Sequence, residues 1–208
     1  MNKFSVSPQA STASTALAPT LAPARSTAFL RATLIVFLGS VFVAICSHIA
    51  IPLWFTPVPL TLQPFAVLVI GLLFSPRLAA STLFAYLAEG AAGLPVFAPG
   101  LAFSAGFAHL FGPTGGYLLV YPAAAFLIAA LWRRGSHTYW SAFFSAAAGN
   151  LLILAGGALW LSSLTHTALR GAFALAVFPF LPGDVLKVAA AAALGTGWAR
   201  FRSKHEDA

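Results

Sequence analysis

Apolar runs long enough to cross a bilayer follow one another along this chain, and almost no charge interrupts them. Between residues 29 and 199 the only charged residues are Arg31, Arg77, Glu89, Arg133, Arg134, Arg170, Asp184 and Lys187. A charge at membrane depth costs about 2.5–3.5 kcal/mol on insertion scales, whereas a soluble domain carries about 25% charged residues. Here charged residues make up 7% of the 208 and hydrophobic ones 60%. So few charges cannot cover a water-soluble fold, so many apolar residues do not stay disordered, and no short repeat marks collagen or a coiled coil. The sequence describes an integral membrane protein.

Proline, glycine and arginine divide the apolar runs. Spans are expected over about 29–51, 60–74, 78–93, 114–132, 138–161 and 182–199. Pro52, Pro57 and Pro59 exclude a regular helix from the loop after the first. Residues 94–116 are rich in Gly and Pro yet apolar, which predicts a loop buried against protein or lining a cavity. An amphipathic linker is expected over 162–180. Three units follow: a polar, disordered N-terminal tail at 1–28, a six-helix transmembrane domain at 29–201 and a cytoplasmic tail at 202–208. The tail lacks the apolar core of a secretory signal.

The net charge of +7 would suggest nucleic acid for a soluble protein. In a membrane protein, basic residues instead gather at cytoplasmic helix ends, so no nucleic-acid partner is expected. With the N-terminus inside and six alternating spans, Lys3, Arg25, Arg31, Arg77, Arg133, Arg134, Arg200, Arg202 and Lys204 all fall inside and only Arg170 outside. The expected fold is an all-α bundle of six transmembrane helices with both termini cytoplasmic, multi-pass in the inner (plasma) membrane.

Three charges remain at membrane depth: Glu89, Asp184 and Lys187. Pro182 and Gly183 precede Asp184, which predicts Asp184 as a helix N-cap, with Lys187 on the same face. The pair either neutralises itself as a cap or forms a polar ligand site at a broken helix start. Glu89 is either an end residue facing solvent or a wall of the same cavity. Gln63 and Asn150 act as hydrogen-bonding glue between helices or as pocket residues. His48, His109 and His166 have no ligand-like spacing and are expected at the interface, with no metal. Cys46 stands alone as a small apolar filler. Ala28, Ala32, Ser40 and Ala44 form a small-residue stripe, interrupted by Val36, that serves either packing within the bundle or an outside helix.

Missing chemistry narrows the function. The chain has no G-x-x-x-x-G-K-[ST] loop, no G-x-S-x-G elbow, no H-E-x-x-H and no carboxylate cluster. An intramembrane transferase or hydrolase is therefore a distant alternative, and no cofactor is expected.

Four segments together resemble one family: Pro57-Val58-Pro59-Leu60-Thr61-Leu62-Gln63, Gly93-Leu94-Pro95-Val96-Phe97, Gly112-Pro113-Thr114-Gly115-Gly116-Tyr117, and Pro182-Gly183-Asp184-x-x-Lys187. In order and spacing they are similar to the BioY family, the biotin-binding S components of energy-coupling-factor transporters, over about residues 28–200. The resemblance implies a non-enzymatic subunit that captures biotin from the outer side. It implies a coupling transmembrane subunit and two ATPase subunits as partners, although some members work without a dedicated coupling subunit. It also implies that the stripe at Ala28 and Ala32 docks on the coupling subunit. Biotin offers ureido N–H donors, a carbonyl acceptor, apolar rings and a carboxylate. Asp184 suits the N–H groups and Lys187 a ligand oxygen; Tyr117 and Phe97 suit the rings. Gln63, Glu89 and Asn150 are further pocket candidates, and residues 94–112 a lid. An S component for another small vitamin would share the fold and line the pocket differently.

Overall fold

The computed structural model describes residues 25–99 and 106–206; residues 1–24 of the expected disordered tail and the middle of the expected lid lie outside the described residues, whereas 25–28, also expected in the tail, are helical. Seven α-helices occur among them: α1 (Arg25–His48), α2 (Gln63–Leu73), α3 (Pro76–Ala91), α4 (Gly115–Arg134), α5 (Tyr139–Thr165), α6 (Leu169–Ala176) and α7 (Leu181–Glu206). A 3-10 turn covers Phe107–Phe111, and two short strands, β1 (Ala50–Ile51) and β2 (Leu60–Thr61), precede α2.

Helix lengths among the described residues give three candidate spans, or four with a bent pair. Thr27–His48, Gly115–Arg134 and Tyr139–Thr165 are long and apolar enough to cross a membrane, and the bent pair α6–α7 makes a fourth. At about 1.5 Å per residue, the 11 residues of α2 reach about 16 Å, half of a hydrocarbon core of about 30 Å. Its limits have local causes. Extended residues precede it, and Ser75 with Pro76 ends it by starting α3, the Ser75 hydroxyl accepting from the Leu78 N–H. The seventh helix is α6, inside the segment expected as a linker. Ala172 and Ala176, four residues apart, are both fully buried, which gives this short helix one packed face.

The three-proline segment is a hairpin loop. β1 and β2 pair antiparallel, Ala50 opposite Thr61 and Ile51 opposite Leu60. Proline has no N–H for a ladder, so pairing stops where Pro52 and Pro59 begin. The small ladder fixes where Gln63 emerges at the head of α2.

Close helix approach depends on residues without side chains. A Cβ at Gly116 of α4 would land on the Trp160 side chain of α5, and one at Gly157 on the Tyr117 ring. Two apolar clusters result. One gathers Tyr86, Phe97, Tyr117, Tyr121, Ile153 and Phe180 around the cavity described below. The other joins Leu68, Leu72, Ile128, Trp132, Ala146 and Val188 where α2, α4, α5 and α7 meet. Large apolar side chains such as Phe29, Leu34, Phe37, Phe144 and Leu186 stay exposed. Such a surface suits lipid, because hydrocarbon is the solvent that these residues match.

Candidate ligand site

Between α6 and α7 the chain breaks at residues 177–180 and bends by 58°. A break frees backbone carbonyls that a membrane cannot solvate. Two side chains meet that need. The Tyr117 hydroxyl donates to the Ala176 carbonyl at 2.6 Å, and the Thr56 hydroxyl to the Leu175 carbonyl at 2.9 Å. The proline loop and α4 thereby hold the bend from both sides.

Helix α7 starts at Leu181, so Asp184 lies inside its first turn and does not cap it. Pro182 and Gly183 form part of that turn, where a missing proline N–H costs nothing because first-turn N–H groups lack helical partners. The Asp184 N–H already donates to the Phe180 carbonyl at 2.8 Å. Its carboxylate is free for other work.

Asp184 and Lys187 are 4% and 9% exposed, and their Oδ1 and Nζ are 3.0 Å apart. From α5, Asn150 Nδ2 donates to Asp184 Oδ2 at 3.2 Å. A carboxylate only accepts, which fixes the orientation of the Asn150 amide. That orientation leaves Asn150 Oδ1 buried without a hydrogen-bond partner. An unmet buried acceptor costs about 1–3 kcal/mol, so the cluster is short of one donor.

The cluster faces a cavity with about 40 Å³ open to the centres of water-sized molecules, room for a few waters. Gln63, Tyr117, Asp184 and Lys187 line it, with apolar walls from Val58, Leu118, Ile153, Leu154 and Phe180. Few polar groups on apolar walls is the usual build of a small-molecule site. The cavity is narrow in this structure.

Of the other expected pocket residues, Asn150 stands behind Asp184, and Phe97 and Glu89 are elsewhere. Phe97 is 1% exposed, meets Tyr86 edge-on and stacks on His109 at 4.9 Å between ring centres, so it supports the wall from outside. Glu89 points to α1, where its Oε1 accepts from the Ser40 hydroxyl at 2.8 Å. The carboxylate is drawn there by the one hydroxyl that α1 offers at that level, and it does not wall the cavity. The same bond turns Ser40 inward. Ser40 is fully buried and Ala44 half-buried, while Ala28 and Ala32 are exposed. The stripe therefore divides into an inward half and an outward half.

Four polar wall residues were not among the expected pocket residues. His109 is 7% exposed, not interfacial, and lies 3.3 Å through Nε2 from the Thr114 hydroxyl. Thr61, Thr114 and Tyr121 complete the polar lining. Tyr121 was findable, one helical turn beyond Tyr117 on the same face. His109 was not, because only the 3-10 turn rotates it inward. Gln63 has a second duty: its Nε2 donates to the Tyr86 hydroxyl, which donates to the Val96 carbonyl, each at 2.8 Å. This chain of bonds links the cavity to the segment expected as a lid.

The fold and sequence have known counterparts. The structure is similar to the crystal structure of an S-component for biotin from an ECF-type ABC transporter, with a TM-score of 0.76 and 24% identity over 84% of this chain and 93% of that one. The sequence is 41% identical over 157 residues to a probable biotin transporter BioY of Pyrococcus horikoshii, covering 75% of this chain and 90% of that protein. It is 35% identical over 150 residues to the biotin transporter BioY of Thermotoga maritima, covering 72% and 85%. It is also 34% identical over 153 residues to the biotin transporter BioY2 of Lactococcus lactis, covering 74% and 81%. A sequence model of the BioY family matches residues 14–204, nearly the whole membrane-embedded chain with its ligand cluster, and the chain belongs to the BioY family.

Proposed function

We propose that this protein is a biotin-binding uptake subunit, an S component of an ECF-type transporter, that takes biotin from the outer side of the cell membrane. The observation that carries it is the buried triad of Asp184, Lys187 and Asn150, of which Asp184 and Lys187 line an apolar cavity and Asn150 braces Asp184 from behind. A ureido group presents one carbonyl flanked by two N–H donors. Lys187 supplies the donor for the carbonyl. The Asp184 carboxylate, held in place by the Asn150 amide, supplies the acceptors for the N–H groups. Lys187 neutralises Asp184 at 3.0 Å, so no bare charge lies inside the membrane. On binding, the ligand takes over part of each partner's hydrogen bonding. Tyr117 and Phe180 flank the ring system, and residues 94–112 act as the lid that lets the ligand in.

In this proposal α1 to α5 and α7 make the six-helix bundle, residues 29–201 form the binding domain, and both ends face the cytoplasm, with 1–28 and 202–208 as tails. Energy comes from a coupling membrane subunit and two ATPases, with solitary action as the alternative. Docking uses the outward half of the stripe, Ala28 and Ala32, and leaves Ser40 to the bundle. No step is catalytic.

Competition tests the substrate. The purified chain is expected to retain labelled biotin and to lose it to unlabelled biotin but not to thiamine or riboflavin. Displacement by either of those instead would make it an S component for another vitamin.

A further inference from the structure

At the opposite end of the bundle from the ligand cluster, the ends of α2, α4 and α7 enclose a groove of about 570 Å³. Leu72, Leu73 and Phe74 form its floor, and Arg133, Arg200 and Arg202 its rim. Among the described residues no carboxylate pairs with Arg133 or Arg200, and both are exposed. Trp132 and Trp198 stand beside the arginines. Across Trp198 the groove adjoins a shallow apolar channel along α7, lined by Ala193, Leu194, Gly197, Trp198 and Phe201. Gly197 leaves open space there, with nothing within 4 Å of where a Cβ would stand.

We propose that this groove binds the phosphate of an anionic phospholipid, with an acyl chain along the α7 channel. The two guanidinium groups, without partners among the described residues, offer planar forks that match phosphate oxygens. Tryptophan at this level fits the headgroup layer. A basic site that runs directly into an apolar channel has the two-part character of a lipid, which a free phosphate ion or a soluble acidic peptide does not use. Basic pockets at helix ends on the cytoplasmic side are built for such headgroups.

The test uses the full chain purified in detergent and stripped of lipid. Phosphatidylglycerol, phosphatidylcholine and inorganic phosphate are added separately, and bound adducts are counted by native mass spectrometry alongside thermal stability. Phosphatidylglycerol is expected to bind and to raise the melting temperature; the other two are not. The double variant R133Q/R200Q is expected to lose about tenfold or more in phosphatidylglycerol affinity, with biotin binding unchanged. R31Q/R77Q removes equal charge and is expected to keep the lipid. Equal loss in both doubles would reduce the effect to general surface charge and overturn the site. Protection by inorganic phosphate alone would overturn the lipid assignment, and undiminished binding to R133Q/R200Q would overturn both.

Discussion

At the scale of single residues, the triad carries opposite demands of stability and binding. Breaking a buried ion pair by removing one partner costs about 3–5 kcal/mol, whereas replacing both by neutral groups is often neutral. K187M is therefore expected to lower the melting temperature more than the double variant D184N/K187M, measured on purified protein; the reverse order would mean that the pair is not buried as described. D184A is expected to weaken biotin binding ten- to hundredfold, the worth of about 1.5–3 kcal/mol for hydrogen bonds to a charged group. Glu89 provides the contrast. E89Q keeps the bond from Ser40 at 2.8 Å and stands away from the cavity, so biotin affinity is expected to stay within about twofold in the same titration. The sequence already contained the triad, since Asp184, Lys187 and Asn150 stand out as polar groups in apolar helices. It did not contain their geometry. Asn150 and Asp184 are 34 positions apart, and only the packing of α5 on α7 brings them together. The Ser40 partner of Glu89 was hidden for the same reason, because a charge at membrane depth reveals that it has a partner but not which one.

At the scale of elements, the bend between α6 and α7 is what opens a site beside Asp184. Its carbonyls depend on Tyr117 and Thr56, so Y117F is expected to cost about 1 kcal/mol of stability in addition to any loss of biotin affinity. Circular-dichroism melting of the variant checks this. Gly157 stands where the Tyr117 ring needs room, so G157A is expected to displace that ring and reduce biotin affinity while α5 stays helical. Most helices could be read from the apolar runs and their Pro and Arg punctuation. α6 could not, because eight residues between α5 and the bend look like a linker until the burial of Ala172 and Ala176 shows the packed face. The shortness of α2 was likewise hidden, since Leu60 and Thr61 continue the apolar run but pair as strand.

At the scale of the whole molecule, charge is sorted by location. The acid–base pair sits in the cavity near the α6–α7 bend, and arginines gather where α4 and α7 end. Apolar clusters separate the two regions, and exposed hydrophobic side chains clothe the outside. That arrangement suits a subunit held in lipid that presents one small polar site to a vitamin. Isothermal titration of biotin into the purified chain, beside D184A and K187A, is the direct measurement. Saturable binding at or below micromolar biotin by the native chain, weakened in both variants that remain folded, is the predicted result. No heat of binding from the folded native chain, or equal affinity in all three proteins, would contradict the biotin site.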